Sequence, residues 1–227
     1  AFLASRRMRH TGGIDAEAAR ALLAETGASA ALITAVFLHE ASDSPKVSLT
    51  SRLVSTGDDA AILWMGSADI AAAEHPGVFD LRRVGQVAVL RDRAIAALAA
   101  GAAARLRPGE DGSRARPDGP PRAARRFRPR TFHRSPDSPP PEGRRTRVAV
   151  VPFQNDTARP GAGDLVALQL VRHLVARPGV EVVEPGVVRE VLLRARVVQS
   201  EGISLPQADL LRELLDADVV VAGRVDG

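Results

Sequence analysis

The strongest pattern in the chain is an apolar run from Val148 to Phe153, followed at once by polar turn residues. A run of valines without interleaved polar residues predicts a strand that is buried on both faces, as in a parallel sheet. Residues 30–38 (AALITAVFL) and 217–225 (ADVVVAGRV) have the same character. They predict two further buried strands, of which 217–225 should lie beside Val148–Phe153 in one sheet.

A hairpin is predicted between residues 47 and 65. In residues 46–55, Val47, Leu49 and Leu53 fall on one face and Ser48, Thr50 and Arg52 on the other, which is typical of an antiparallel strand with one face exposed to solvent. The turn is assigned to residues 56–59 (TGDD) and the return strand to residues 60–65 (AAILWM).

In the first part of the chain, capping residues mark one helix clearly. Asp15 is a good N-cap and Gly27 a good terminator for an amphipathic helix between them. Residues 1–12 predict the tail of a helix or a basic loop, and residues 70–83 an irregular segment. A long helix is then expected from Val84 to the alanine-rich stretch near Gly101.

The second part contains three further predicted helices. Asp164 is expected to cap the first of them, and Pro185 suits the first turn of the second. Ser204 and Gln207 have the spacing of a capping box for the third.

The two ends of the chain repeat each other at a fixed offset of 189 positions. Gly13-Ile14 falls on Gly202-Ile203, and Leu22 falls on Leu211, without a gap. The order of cap, helix, small residue and buried strand is the same in both copies. A repeat at a fixed offset predicts two duplicated units rather than one domain.

Composition changes this picture mainly in the middle of the chain. Residues 101–145 hold twelve arginines against five acidic residues and nine of the 16 prolines, with almost no aliphatic residue larger than alanine. Such a segment cannot bury enough surface to offset the entropy of ordering, and it predicts a disordered linker. The absence of cysteine excludes disulfides and thiolate metal sites.

The predicted domain organisation follows from the repeat and the linker. Residues 1–100 form the later part of a first α/β (α+β) domain, residues 101–145 the linker, and residues 146–227 the earlier part of a second domain. Each domain is expected to be an incomplete mixed sheet with helices packed on it.

Four segments resemble one family of envelope proteins. They are VAVVPFQNDT at 148–157, VEVVEPGVVREVL at 180–192, ADVVVAGRVDG at 217–227 and the hairpin VSLTSRLVSTGDDAAILWMGS at 47–67. These patterns are similar to the fold shared by the TolB amino-terminal domain, the curli-secretion protein CsgG and penicillin-binding-protein activator lipoproteins. The resemblance implies two tandem copies of this fold in a Gram-negative envelope protein, periplasmic or on the periplasmic face of the outer membrane.

The resemblance also implies a non-enzymatic protein-protein interaction or assembly module. The expected partners are other envelope proteins, with a second copy of this chain as an alternative. Association with a membrane is expected only through an anchor outside this sequence. Neither a small-molecule substrate, nor a cofactor, nor nucleic acid is expected. The alternative is a tethered binder of polyanions, either nucleic acid or anionic lipid, which would act through the arginine-rich linker.

Candidate site residues are few. The carboxyl end of the central strand is followed by Asn155, Asp156 and Thr157, at the position where α/β folds commonly bind ligands. The alternative interpretation is a turn that is closed by hydrogen bonds of its own side chains. Trp64 is either a partner-binding anchor or a half-buried cap on the sheet. The five histidines show no metal-ligand spacing, and no nucleophile motif is present, so neither catalytic nor metal-binding residues are assigned.

Overall fold

The computed structural model describes residues 13–58, 60–72, 86–106, 144–197 and 202–227. Helices and strands alternate in an α/β fold, as the sequence predicts. We call residues 13–106 the first unit and residues 144–227 the second unit. The predictions for residues 1–12, for most of 70–83 and for most of the linker fall outside the described residues.

The first unit contains one helix, three antiparallel strands and a second helix. Its elements are α1 (Ala16–Thr26), β1 (Ala30–Glu40), β2 (Lys46–Ser55), β3 (Ile62–Ala71) and α2 (Val87–Leu106). The strand order is β1-β2-β3, so the predicted hairpin is confirmed as β2–β3. Helix α2 continues to Leu106 and therefore extends six residues into the segment that the sequence assigned to the linker.

The ends of α1 are the predicted ones. The Asp15 side chain accepts a hydrogen bond from the Ala18 amide, 2.7 Å away, and so caps the first turn. Gly27 ends the helix in a left-handed conformation, with φ at 69°.

The burial of β1 and β2 is the reverse of the prediction. β1 lies at an edge of the sheet, and its Leu32 and Val36 are exposed rather than buried. β2 lies in the centre and is buried on both faces, including its polar residues Thr50 and Arg52. Alternation shows only that the two faces of a strand differ. Here the apolar face of β2 packs under α2, and the polar face meets the second unit.

The second unit is built around a parallel sheet. Its elements are β4 (Thr146–Val150), β5 (Gln154–Asp156), α3 (Ala162–Val175), β6 (Val180–Val182), α4 (Pro185–Arg194), α5 (Leu205–Leu214), β7 (Val219–Val221) and β8 (Arg224–Asp226). β4 lies between β6 and β7 and is parallel to both, which confirms the predicted pairing with the terminal strand. One face of this sheet packs on α4 and α5, and the other packs on α3.

Both predicted long strands of this unit are interrupted. Within the run 148–153, β4 ends at Val150, and β5 begins only after the run, at Gln154. The run 217–225 divides into β7 and β8, and β8 pairs with β5. Pro152 has no amide hydrogen to donate to a ladder, and the Phe153 ring lies against Gly223, where an added Cβ would come within 3.0 Å of it. The two interruptions therefore face each other.

Helix starts in the second unit differ from the prediction once. α3 begins after Gly161, without a side-chain cap, so Asp164 lies in its first turn instead of capping it. Pro185 occupies the first turn of α4, and Ser204 and Gln207 form the capping box of α5, both as predicted.

The internal repeat is visible in local geometry. Residues Asp15 and Ser204, 189 positions apart, both cap a helix, and the helices begin at the next residue. Gly27 and its counterpart Asp216 both have positive φ, 69° and 47°. β1 and β7 then begin at counterpart positions, 30 and 219. The duplication of complete domains stays a prediction.

The two units share their apolar cores. Ile62 and Met65 of β3 pack against the α3 side of the parallel sheet, and Val187 of α4 packs against the cluster under α1. The backbones also meet closely, because a Cβ on Gly186 would lie 2.5 Å from the amide nitrogen of Ile14. The sequence predicted a tether between the units and no such contact.

We expect Gly186→Ala to destabilise the protein by roughly 1–3 kcal/mol, because the added methyl group must push the two backbones apart. Gly57→Ala is the matched control, since nothing lies within 4 Å of a Cβ there. Chemical denaturation of both variants measures the difference. Equal stability of the two would show that the units do not pack together in solution.

Candidate functional site

The two units meet at a buried carboxylate, Glu184. This residue follows β6 and caps α4, accepting a hydrogen bond from the Gly186 amide at 2.5 Å. The Ile14 amide of the first unit donates to the same carboxylate at 3.3 Å.

Arg52 of β2 is the counter-ion of Glu184. Its Nε and Nη2 atoms both lie 2.9 Å from Glu184 Oε1, and both side chains are 0% exposed. Burial raises the pKa of Glu184, while the charge of Arg52 and the hydrogen bond from Gly186 act against that rise. We call this pair the buried junction. It joins the central strand β2 of the first unit to the N-terminus of α4 in the second unit.

A cavity of about 150 Å³ is lined in part by Pro185, the residue that follows Glu184. It lies at the carboxyl end of β4, with Val150 and Pro152 on one side and Phe37 of β1 on another. This is the end of a parallel strand at which α/β folds commonly place ligands. Its walls are mainly apolar, and its volume suits a group the size of a benzene ring.

Two charged side chains line this cavity. Arg189 of α4 and Asp164 of α3 lie 3.6 Å apart, and each is about 40% exposed. Because these two side chains pair with each other, the cavity is lined by apolar side chains and one solvent-exposed ion pair. Such a lining can bind an apolar group, and it supplies neither a nucleophile nor a general acid-base couple.

Asn155 and Thr157 are brought together, and they bond mainly to each other. Asn155 Oδ1 accepts hydrogen bonds from the Thr157 amide at 3.1 Å and from the Thr157 hydroxyl at 2.7 Å. Asn155 Nδ2 donates to the Arg159 carbonyl at 2.8 Å. Asp156 contacts Arg224 of β8 at 3.5 Å. The geometry is that of a self-closed turn, and partner binding by these residues stays a prediction.

Trp64 lies elsewhere, beneath α2. Added Cβ atoms on Gly66 and Gly101 would lie 2.6 Å and 2.7 Å from its ring, so both glycines leave room for the indole. The side chain is half-buried in the cluster of Val47 and Leu98. This position matches the interpretation of Trp64 as a cap on the sheet, and a partner-binding role has no direct support.

Metal and catalytic signals are weak in the parts of the chain that the structure describes. His39 lies at the exposed end of β1 and His173 within α3, and the other three histidines fall outside these parts. No cluster of three histidine, aspartate or glutamate residues suited to a metal ion occurs among the described residues. None of the described helices is long and apolar enough to cross a bilayer.

Sequence reasoning missed a pair of exposed leucines on α5. Leu210 and Leu214 lie one turn apart and are 43% and 55% exposed, while Leu211 on the neighbouring face is fully buried. Their counterparts in the repeat are Ala21 and Glu25. The signal was available, because four leucines within six residues exceed what one buried face of a helix requires.

Comparison of the chain with protein-family models, with curated proteins and with solved structures found no match. The resemblance to the TolB amino-terminal and CsgG fold therefore remains a prediction from the sequence.

We expect Arg52→Met to reduce the free energy of unfolding by about 3–5 kcal/mol, because it leaves the buried carboxyl group of Glu184 without its counter-ion. Glu184→Gln should also destabilise the protein, because it removes the negative charge that faces the buried guanidinium. In a double-mutant cycle measured by denaturation, Arg52→Met with Glu184→Gln should cost clearly less than the sum of the two. Additive losses would show that the two groups are not coupled.

A second prediction concerns Glu190 on α4. Burial raises its pKa above the ordinary value of 4.5, the Asp15 carboxylate raises it further, and Arg194 opposes both. Because the pKa is higher in the folded state than in the unfolded state, the protonated form of Glu190 favours folding. This contribution to the free energy of unfolding is fully present below pH 4.5 and is lost as the pH rises through the pKa of the folded state.

Glu190→Gln should therefore gain stability relative to the parent protein as the pH rises from 4 to 7, by less than about 1 kcal/mol. Thermal unfolding across this range measures the gain. Glu213→Gln on α5 controls for the loss of one carboxylate elsewhere. A gain that falls with rising pH would contradict the assignment.

Proposed function

We propose that this protein is a non-enzymatic protein-protein interaction module of the Gram-negative cell envelope, periplasmic or on the periplasmic face of the outer membrane. The segments 148–157, 217–227 and 47–67, which resemble envelope proteins of this kind, support the location. The exposed leucines of α5 support the mode of action.

The observation on which this proposal depends is the contrast between the two copies of the repeated helix. In α1, the positions that correspond to Leu210 and Leu214 hold Ala21 and Glu25, which suit a face toward solvent. In α5, both positions are leucines, and they remain exposed although the core beneath them is complete. Two exposed large apolar side chains one turn apart favour a contact with a partner over contact with water.

The polar groups of the candidate site support binding rather than catalysis. Glu184 is held by Arg52, Asp164 lies near Arg189, and Asn155 bonds to Thr157. These groups are engaged in contacts within the protein. A surface with apolar anchors and satisfied polar neighbours suits a binding protein.

We expect Leu210→Glu with Leu214→Glu to abolish capture of partners from a detergent-solubilised envelope fraction while leaving the protein folded, because both side chains already face solvent. Leu106→Glu is the matched control, since Leu106 is equally exposed, at 58%, but lies on α2. Circular dichroism checks the fold of each variant. Identical capture by the double variant and the parent protein would refute a role for this face.

A salt series separates this proposal from polyanion binding through the linker. Apolar contacts persist when salt is raised, whereas binding through arginines weakens steeply. Replacing residues 108–143 by a neutral glycine-serine segment of equal length leaves α2 and β4 intact. Loss of binding in that variant, with the leucine variant unaffected, would favour the linker instead.

A further inference from the structure

The strand β7 lies at an open edge of the parallel sheet. Within the described residues the strand order is β6-β4-β7, so β7 has β4 on one side only. An open strand edge presents unpaired amide and carbonyl groups and is a template for another strand. The strand is short, from Val219 to Val221.

The hydrogen bonds of β7 show which residues face its open edge. The Val221 carbonyl accepts from the Val151 amide, and the Gly223 carbonyl accepts from the Gln154 amide. Residues 219, 221 and 223 therefore direct their backbone groups toward β4 and β5. Because the backbone groups of successive residues in a strand point to opposite sides, Val220 directs its amide and carbonyl to the open edge.

The repeat shows what occupies the same edge in the first unit. The counterpart of Val220 is Ala31 of β1, which lies opposite Val54 of β2. Two residues before Ala31, just outside β1, the Ser29 carbonyl accepts a hydrogen bond from the Thr56 amide. The edge of β1 that is covered by the antiparallel strand β2 thus corresponds to the open edge of β7.

We propose that the open edge of β7 binds an antiparallel β-strand from a partner polypeptide, in the register in which β2 pairs with β1. A residue like Val54 would lie opposite Val220, and one like Ser55 opposite Val219. The occupant is a segment in which apolar and small polar residues alternate as they do in 46–56. The inference deepens the proposed function, since it names the form of the protein partner.

The intramolecular hairpin does not fill this edge. β2 pairs with β1 at ten positions between Lys46 and Ser55, and β3 pairs with its other side. Both edges of β2 are therefore occupied, so β2 itself is not free to pair with β7. Backbone hydrogen bonds would hold the partner strand, and α5, which packs on β7 through Leu211 and Val220, would line its approach.

Cysteine trapping tests the register, because the chain contains no cysteine of its own. Val220→Cys is mixed in a thiol redox buffer with a synthetic peptide of residues 46–56 that carries cysteine at the Val54 position. A second peptide carries cysteine at the Leu53 position, which points to the opposite face. We expect disulfide formation with the first peptide to exceed that with the second by about tenfold, since only opposed Cβ atoms satisfy disulfide geometry.

A second measurement keeps the test independent of trapping. A fluorescent copy of the 46–56 peptide should bind the parent protein and Val220→Ala, and should bind Val220→Pro about tenfold more weakly. Proline removes the outward amide without breaking a bond to β4. Equal trapping of both peptides, or binding unaffected by proline, would overturn the proposal, as would a preferred Val220→Cys homodimer.

The leucine variants distinguish the two proposals. Loss of envelope partners in the α5 double variant with unchanged peptide binding at β7 would leave the strand site intact. Peptide binding that fails while envelope capture depends on Leu210 and Leu214 would reject the strand site and keep the interaction module.

Discussion

The arrangement of this protein depends on a salt bridge that is fully enclosed. Arg52 comes from the middle of a strand in the first unit, and Glu184 is the N-cap of a helix in the second. Two charges without water are costly, so they persist only where their geometry satisfies both. The bond from the Ile14 amide and the cap on α4 supply that geometry, and the apolar clusters on either side exclude water.

Much of the local structure followed from the sequence because it is decided locally. Asp15, Gly27, Pro185 and the Ser204 capping box act within one turn of helix, and each was predicted in place. The pairing of β4 with β7 followed from the valine-rich runs 148–151 and 219–221, which are typical of parallel strands. Val219, at the open edge of the sheet, is nevertheless exposed rather than buried as predicted.

What could not be predicted depends on contacts between distant segments. The polar face of β2 was expected to meet water, and it is buried because the second unit covers it. Glu184 has no distinguishing neighbours in sequence except the proline after it, and its partner is 132 positions away. The turn at Asn155 is a different case, because short side chains there could form either a ligand site or their own hydrogen bonds.

Glu184 both caps α4 and pairs with Arg52, and these two roles restrict the substitutions that evolution can accept at this position. An apolar replacement at this position removes the cap of α4 and the counter-ion of Arg52 in a single step. A neutral route therefore requires both positions to be exchanged together for an apolar pair, with a new cap beside them. Divergent descendants of this chain should retain the two residues jointly or lose them jointly.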